Sequence, residues 1–279
     1  MAAAGATLAS FYERHLAIAD GAVLDWTGNG PPARVAVDAV HVAVARNDAY
    51  AIDRDGHLVG WSATAAPARL LDAVAHVDAG ESSLLAVRTD GSLWQRLAGR
   101  TEWRRIADGV TQGCVGDSSD YYLTAGGDLF ASGLAHRGQY GDGVLVASDG
   151  WRRVAAGVAD VCAHTGHALT LGRDGVVYGT GGNRFGPLGS HGFGDKADRW
   201  GPLFRDAVRI DTGARHSAAL RTDGSLWIWG EHEGLEPRRA LESVSDLACG
   251  DTETLARTRD GRLWQWATGA EAVSRPAAG

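Results

Sequence analysis

One short segment recurs along the chain, and its recurrence limits the possible folds more than any other feature. The clearest copy is Arg215-His-Ser-Ala-Ala-Leu-Arg-Thr-Asp-Gly-Ser-Leu-Trp-Ile-Trp-Gly230. Two short apolar runs flank an Asp-Gly pair, which is typical of a β-hairpin whose type I′ turn needs positive φ at both central residues. Turns of this kind begin at residues 20, 55, 90, 126, 174, 223 and 260. The chain therefore contains seven related units.

The spacing of the turns predicts a repeat architecture. Successive turns lie 35, 35, 36, 48, 49 and 37 residues apart, a period typical of repeated supersecondary units. A further pair of runs precedes each hairpin, as in Trp151-Arg-Arg-Val-Ala-Ala-Gly-Val158 and Ala159-Asp-Val-Cys-Ala163. Four strands per unit form the blade of a β-propeller, whereas a parallel β-helix needs shorter repeats. We therefore predict an all-β fold, with residues 1–279 forming a single seven-bladed β-propeller domain of four-stranded blades.

The two ends of the chain suggest how the ring closes. The first unit lacks the run that precedes the other hairpins, and the last unit has surplus residues after Trp266. The surplus ends in Pro-Ala-Ala-Gly279, which is similar to Val154-Ala-Ala-Gly157 in a complete unit. We predict that the C-terminal segment supplies a strand that completes the first blade, an arrangement that would hold both termini in place.

The units resemble the repeats of the regulator-of-chromosome-condensation family. That family's pattern begins Val-x-x-Gly-x-x-His-Ser-x-Ala-Leu-x-x-Asp-Gly-x-Val-x-x-Trp-Gly, and Gly213 to Gly234 matches it well. The pattern's end is matched by Gly181-Gly-Asn-Arg-Phe-Gly-Pro-Leu-Gly189 and by Arg137-Gly-Gln-Tyr-Gly-Asp-Gly143. The resemblance covers nearly the whole chain and implies a seven-bladed propeller. It implies no particular activity, because the family's members include a nucleotide exchange factor and an ultraviolet-B photoreceptor.

Composition argues against several classes of partner. The chain has a formal net charge of −7 and no cluster of lysine and arginine, so we expect neither nucleic acid nor a membrane as a partner. No apolar run approaches the roughly 20 residues of a membrane span, and residues 1–10 lack the basic start of a secretory signal. The odd number of cysteines argues against a disulfide framework. We therefore expect a cytoplasmic protein.

Polar residues recur at one position of the units. Seven residues before the turns, where the family usually has histidine, lie Asp48, Ser83, Ser119, His167, His216 and Glu253, with Arg14 or His15 in the first unit. Ten residues before the turns lie Gly80, Gly116, Gly213 and Gly250, but Ala45 and His164 in two units. The loops between these positions converge on one end of the channel of a propeller. We predict a ring of mixed charge there, made of His164, His167, Arg215, His216, Asp117, Asp251 and Glu253.

Three interpretations of this ring remain open. The histidines could be structural, with hydrogen bonds within or between blades. The ring could be a polar binding mouth for a peptide or a small molecule. It could also hold a catalytic acid or base, with His167 or His216 beside Asp117 or Glu253. We predict no metal, because Cys162 and His164 share a face of their strand while His167 does not, and no fourth ligand follows at a diagnostic spacing.

These observations favour a non-catalytic binding scaffold that engages a protein or peptide partner through one face of the propeller, without a cofactor. The alternative is a small enzyme of specialised metabolism with an acid/base site at the mouth of the central channel. A small-molecule ligand remains possible in both cases. A photoreceptor is a third interpretation, although the Gly-Trp-Arg-His-Thr motifs of the family's photoreceptor are absent from the sequence.

Overall fold

Seven four-stranded antiparallel sheets form the structure, a computed structural model that describes residues 7–189 and 194–275. Each sheet uses four consecutive strands. The strands of blades 1 to 4 are β1 (Leu8–Phe11), β2 (Arg14–Ala19), β3 (Ala22–Thr27), β4 (Ala33–Val35), β5 (Ala39–Val44), β6 (Asp48–Asp53), β7 (Leu58–Ser62), β8 (Ala68–Leu71), β9 (Val74–Ala79), β10 (Ser83–Arg88), β11 (Leu93–Leu97), β12 (Arg104–Ala107), β13 (Val110–Val115), β14 (Ser119–Thr124), β15 (Leu129–Gly133) and β16 (Ser148–Ala155). Those of blades 5 to 7 are β17 (Val158–His164), β18 (His167–Gly172), β19 (Val177–Gly182), β20 (Lys196–Phe204), β21 (Ala207–Thr212), β22 (His216–Arg221), β23 (Leu226–Gly230), β24 (Gly234–Leu241), β25 (Val244–Cys249), β26 (Glu253–Thr258), β27 (Leu263–Ala267) and β28 (Val273–Arg275).

The predicted seven-bladed, all-β architecture is confirmed. The first strand of each blade lines the central channel and the fourth lies at the rim. In the described part of the chain, no helix has the length and apolarity needed to cross a membrane.

The predicted type I′ turn occurs in blade 1 alone among the seven hairpins. Asp20 and Gly21 both have positive φ, 48° and 72°, and two residues join β2 to β3. The other turns are longer, and only their glycine has positive φ. In the turns of blades 3, 5, 6 and 7 the aspartate accepts a hydrogen bond from the N–H two residues ahead, as Asp223 Oδ1 does from Ser225 N at 2.8 Å. This side-chain bond fixes a type I turn followed by a left-handed glycine, so the Asp-Gly pattern located the hairpins but indicated the wrong turn type.

The C-terminal strand does not complete blade 1, so the predicted closure is wrong. Strand β28 pairs with β27 of its own blade, and blade 1 has its own inner strand, β1, which pairs with β2. The sequence pattern assigns the run at Trp151 to the same unit as the hairpin that follows it, at residue 174. In the structure this run lies in β16, the fourth strand of blade 4, and not in blade 5. Of the surplus after Trp266, β28 is the fourth strand of the last blade, and residues 276–279, whose similarity to Val154–Gly157 suggested the closing strand, lie outside the described residues.

Hydrophobic packing between neighbouring blades holds the ring together. Each of the seven clusters of buried side chains joins one blade to the next. The cluster that closes the ring contains Leu8, Leu24 and Trp26 of blade 1 with Ala248 and Leu255 of blade 7. The Trp26 indole donates to Gln265 Oε1 across the same boundary at 3.1 Å. Side-chain burial, not a shared strand, therefore closes the ring.

The antiparallel order gives the ring two different faces. Connections from first to second strand and from third to fourth strand emerge on one face, which we call the mouth face. The hairpin turns and the connections between blades emerge on the other, which we call the turn face. Residues that end β1, β5, β9, β13, β17, β21 and β25 therefore meet around the channel on the mouth face.

Candidate functional site

Glycine brings most of the blades close together where the channel opens on the mouth face. A Cβ atom on Gly213 would overlap the carbonyl oxygen of Gly250 in the next blade, and one on Gly250 would lie 2.9 Å from the carbonyl oxygen of Tyr12. Backbone atoms cannot give way as a flexible side chain can, so these positions require glycine. The sequence pattern of glycine ten residues before the turn thus has a packing cause.

Two blades place a ring at this position instead of a small residue. Phe11 pairs with Arg14 in blade 1 just as His164 pairs with His167 in blade 5, so Phe11 and His164 are equivalent positions. Their rings stack with centroids 5.2 Å apart and planes at 25°. Blades 1 and 5 are not neighbours, so the stack crosses the channel opening. Both rings line the channel cavity, which has a volume of about 400 Å³, and we call this stack at the mouth-face end the floor.

Above the floor lies a rim of charged and aromatic side chains. The Arg46 guanidinium lies 4.0 Å from the centre of the Tyr12 ring and 3.1 Å from Glu81 Oε1. Burial, together with the hydrogen bond to Glu81, raises the pKa of Tyr12 to about 12. The phenol is therefore neutral at physiological pH, and Arg46 and Glu81 largely compensate each other.

Two further carboxylates, Asp117 and Asp251, come from blades 4 and 7. Asp251 Oδ1 accepts a hydrogen bond from Tyr12 N at 3.2 Å. Burial raises the pKa of Asp251 to about 6, and the charge of Asp117 adds to the effect. Burial likewise raises the pKa of Asp117, with Glu81 adding to it, although a hydrogen bond from Thr165 acts in the opposite direction. Burial thus disfavours the charged form of both carboxyls, and the charge of Asp117 acts on Asp251. We call Phe11, Tyr12, Arg46, Glu81, Asp117, His164 and Asp251 the channel mouth.

Two buried atoms of the channel mouth have no hydrogen-bond partner among the described residues: Asp117 Oδ1 and His164 Nε2. His164 is only 5% exposed, and burial lowers its pKa to about 4, so its ring is neutral at pH 7. Thr165 N donates to His164 Nδ1 at 2.9 Å, which leaves the ring proton on Nε2. The Nε2 atom lies 3.3 Å from Asp251 Oδ1, but this contact does not have the geometry of a hydrogen bond.

A second set of polar residues, just outside the channel mouth, links neighbouring blades. At the predicted position seven residues before the turn, most side chains reach across a blade boundary. His167 Nε2 contacts Thr212 Oγ1, and His216 Nε2 lies 2.9 Å from Thr254 Oγ1. Ser83 donates to Asp120 at 2.7 Å, and Glu253 lies 2.6 Å from His15 Nε2. With Arg14, which donates to Asn47 O at 2.6 Å, these form the inter-blade clasp: Arg14, Ser83, His167, His216 and Glu253.

The structure therefore divides the predicted ring of site residues. His164, Asp117 and Asp251 meet in the channel mouth. His167, His216 and Glu253 belong to the inter-blade clasp. His216 Nδ1, which has no hydrogen-bond partner in the described part of the chain, packs against Gly213. Arg215 points away toward blade 5, with its guanidinium 4.5 Å from the Phe185 ring centre and 2.9 Å from Glu231.

Sequence reasoning missed Phe11 and Tyr12. The turn of blade 1 is shorter than the others, so counting back from Asp20 left Arg14 and His15 as alternatives and did not fix which residues precede them at the mouth. Strand register now assigns Arg14, and not His15, to the position seven before the turn in the other blades. An alignment that allowed for the short turn would have placed Phe11 opposite glycine and marked it as an exception.

Buried aspartates of the inner strands tie adjacent blades together below the mouth. Asp78 Oδ2 accepts from Val115 N at 2.8 Å, and Asp211 Oδ2 accepts from Cys249 N at 2.8 Å, each in the next blade. Burial raises the pKa of both carboxyls to about 7. Burial likewise raises the pKa values of Cys114 and Cys162, so these thiols are protonated. This layer has a structural explanation.

One group of possible metal ligands lies elsewhere, at the hairpin turn of blade 2. Ligand atoms of Asp53, Asp55 and His57 lie within 4.8 Å of one another. The Asp53 carboxylate already accepts bonds from Asp55 N at 3.0 Å and His57 N at 2.8 Å, and His57 Nδ1 lies 2.9 Å from it. These bonds shape the turn and account for the cluster.

Comparison with known proteins identifies the repeat. The model of the regulator of chromosome condensation (RCC1) repeat matches residues 207–233, which cover β21 to β23. The E3 ubiquitin-protein ligase HERC2 of Homo sapiens is 29% identical over 189 residues, 55% of this chain and 4% of that protein. The ultraviolet-B receptor UVR8 of Arabidopsis thaliana is 28% identical over 182 residues, 56% of this chain and 41% of that protein. The chain thus spans less than half the length of either relative.

Solved structures show the same fold at low sequence identity. Human WBSCR16 superposes with a TM-score of 0.78 at 16% identity, over 91% of this chain and 86% of that one. Yeast RCC1 (Prp20), solved with Kap60 bound, gives 0.72 at 16% identity, over 83% and 70%. Prp20p of Saccharomyces cerevisiae, described with its binding to Gsp1p and histones, also gives 0.72 at 16% identity, over 87% and 80%.

Proposed function

Because this seven-bladed propeller belongs to the regulator-of-chromosome-condensation repeat family, we propose that it is a non-catalytic scaffold that binds a protein or peptide partner through its mouth face. RCC1-like propellers take part in protein interactions, as yeast Prp20 does with Kap60. The single observation that supports this face is the channel mouth, where charged and aromatic side chains from six blades meet at one end of the channel and some buried polar atoms have no hydrogen-bond partner among the described residues. A concavity with convergent polar groups is the usual form of a binding site.

Acid/base catalysis by His167 or His216 receives less support from the geometry. The Nε2 atom of each histidine already contacts a threonine of the next blade, and burial lowers the pKa values to about 3 and about 4. Neither residue lies on the channel cavity. The enzyme alternative therefore stays a prediction without a specific observation in its favour.

Selection of peptides from a displayed random library on the immobilised propeller tests the scaffold. The test variant is Arg46→Ala/Glu81→Ala, which removes an exposed ion pair from the mouth face without changing net charge. The matched control is Arg105→Ala/Asp108→Ala, which removes an exposed ion pair from blade 3 near the turn face. Both variants should keep the wild-type circular dichroism spectrum and melting temperature, since exposed pairs contribute little to stability.

We expect enriched peptides to bind the wild type and the control variant equally, and to bind the mouth-face variant at least about tenfold more weakly, a loss of about 1.4 kcal/mol. Fluorescence polarisation with the resynthesised peptides measures this ratio. The proposal is wrong if no peptide is enriched, or if the enriched peptides lose affinity for the turn-face control and not for the mouth-face variant.

A further inference from the structure

We propose that the channel mouth receives the cationic side chain of a lysine or arginine from a peptide partner. In this arrangement Asp117 and Asp251 face the charge, while the Nε2–H of His164 donates to a carbonyl oxygen of the same peptide. This inference rests on the proposed function and adds the chemistry of the ligand to it.

The first argument is the charge of the channel mouth. Glu81 has Arg46 as its partner at 3.1 Å. Asp117 and Asp251 have no ion pair with lysine or arginine within residues 7–189 and 194–275, and His164 beside Asp251 is neutral at pH 7. The channel mouth therefore holds, in a partly buried site, two carboxyl groups that have no Lys or Arg ion-pair partner of their own among the described residues. A cation placed between them would be attracted to both, and an anionic ligand would be repelled.

The second argument is independent of charge. Buried polar atoms in proteins almost always have hydrogen-bond partners, so each exception needs an explanation. Within residues 7–189 and 194–275, Asp117 Oδ1 is an acceptor without a donor, and His164 Nε2–H is a donor without an acceptor. His164 is 5% exposed, so its Nε2–H is held in the floor of the channel mouth and does not simply face bulk water. A ligand that offers one cationic donor and one carbonyl acceptor would satisfy both atoms.

The third argument is the shape and chemistry of the walls. Phe11 and Tyr12 form a T-shaped pair with centroids 5.0 Å apart, and Phe11 also stacks on His164. Long basic side chains lay their alkyl stems against such apolar surfaces while the charged end remains polar. A bound metal ion fits less well, since the described residues at the mouth contain no three ligand atoms within coordinating reach of one another. A peptide basic side chain uses all the groups that are present.

The experiment uses the peptides selected on the wild-type propeller, resynthesised with an acetylated N-terminus so that the α-amino group carries no charge. Each lysine is replaced singly by norleucine and each arginine by citrulline, which remove the charge and keep the length. Binding is measured to the wild type and to Asp117→Asn/Asp251→Asn. The charge-matched control is Asp108→Asn/Asp206→Asn on the turn face, where both residues are exposed. Asp206 has a φ of 62°, which asparagine also adopts readily.

We expect one basic position whose replacement weakens wild-type binding at least about tenfold, or about 1.4 kcal/mol. The same replacement should have no effect on binding to Asp117→Asn/Asp251→Asn, because a double-mutant cycle isolates the contact between the two partners. The turn-face control should bind every peptide as the wild type does.

Three outcomes would overturn the inference in different ways. In the first, peptides still require Arg46 and Glu81 but bind equally well after every neutral replacement, or a neutral replacement weakens binding to Asp117→Asn/Asp251→Asn as much as binding to the wild type. The scaffold then stands, and the cation site does not exist. If no selected peptide depends on the mouth face at all, the proposed function fails and the inference fails with it. A preference for glutamate at the sensitive position would also contradict the cation site.

Discussion

His164 and His167 are direct partners across one hairpin, yet the structure uses them in opposite ways. Both are buried, and burial lowers both pKa values, to about 4 and about 3. His167 lies in the inter-blade clasp, where its Nε2 meets the Thr212 hydroxyl. His164 lies in the channel mouth, where its Nε2–H has no hydrogen-bond partner in the described structure.

The difference shows that a shifted pKa does not by itself mark a functional histidine. Perturbed pKa values are common at active sites, but structural networks produce them too. In this propeller, what distinguishes the two positions is whether the neighbouring blade supplies a partner for each polar atom. The clasp should therefore control stability, and the mouth should control binding.

The largest expected effect separates the clasp from the mouth through stability. His167→Ala should lower the free energy of unfolding by about 2–3 kcal/mol, because it leaves a cavity between blades 5 and 6 and removes a partner of Thr212. Urea denaturation followed by tryptophan fluorescence measures the change. Peptide affinity at a temperature where the variant is folded should be unchanged, and exposed His136→Ala should change stability by less than about 0.5 kcal/mol. Wild-type stability of His167→Ala would contradict the clasp.

The converse variant, His164→Ala, should weaken binding of the selected peptides about tenfold, or about 1.4 kcal/mol. The variant removes the donor for the peptide carbonyl and half of the aromatic floor. Its stability should fall by less than that of His167→Ala, since the lost Nε2–H has no hydrogen-bond partner among the residues that the structure describes. Affinity by polarisation and melting temperature should be measured on the same preparations. A large loss of stability with intact binding would reverse the assignment of the two histidines.

The pH dependence of binding should report the carboxylates of the mouth. Asp251, with a pKa of about 6, faces Asp117, Glu81, Arg46, Tyr12 and His164. As pH falls through about 6, Asp251 takes up a proton, whereas His164 remains neutral until about 4. Affinity for a basic peptide should therefore fall several-fold from pH ~8 to ~5, in line with the loss of one charge interaction.

The norleucine or citrulline form of the same peptide is the control for this pH profile. Its weaker affinity should stay constant over the same range, as should the affinity of the basic peptide for Asp117→Asn/Asp251→Asn. An affinity for the basic peptide that rises on acidification would contradict the sign of the effect.

The smallest expected effect is a gain in stability from removing a mouth carboxylate. The raised pKa of Asp251 means that the folded state binds more protons than the unfolded state between pH ~4 and ~6, so its contribution to stability falls as pH rises through that window. Asp251→Asn should then be about 1 kcal/mol more stable than the wild type above pH ~7, after allowance for partial exposure. Chemical denaturation at both ends of this range measures the difference. It should vanish below pH ~4, and a destabilised Asp251→Asn at neutral pH would contradict the account.

Much of the fold followed from local patterns in the sequence. The seven hairpins, the four strands per unit and the glycines beside the channel all follow from short segments that recur. Turn length was misjudged because an aspartate bonded two residues ahead, as in Asp223 with Ser225, gives the same Asp-Gly signature as a type I′ turn. The one unit with a true two-residue turn, at Asp20, was also the unit whose mouth residues were missed.

The sequence by itself determined the number of units, their strands and the presence of polar residues near the channel opening. Only the tertiary structure decided which strand belongs to which blade and which polar atoms find partners. A repeat has no inherent starting point, so β28 could be assigned to blade 7 only from its pairing. The mouth joins residues as distant as Tyr12 and Asp251, 239 positions apart, and the clasp joins His167 to Thr212, 45 apart. Such contacts depend on how neighbouring sheets pack around the ring, and no local sequence pattern specifies them.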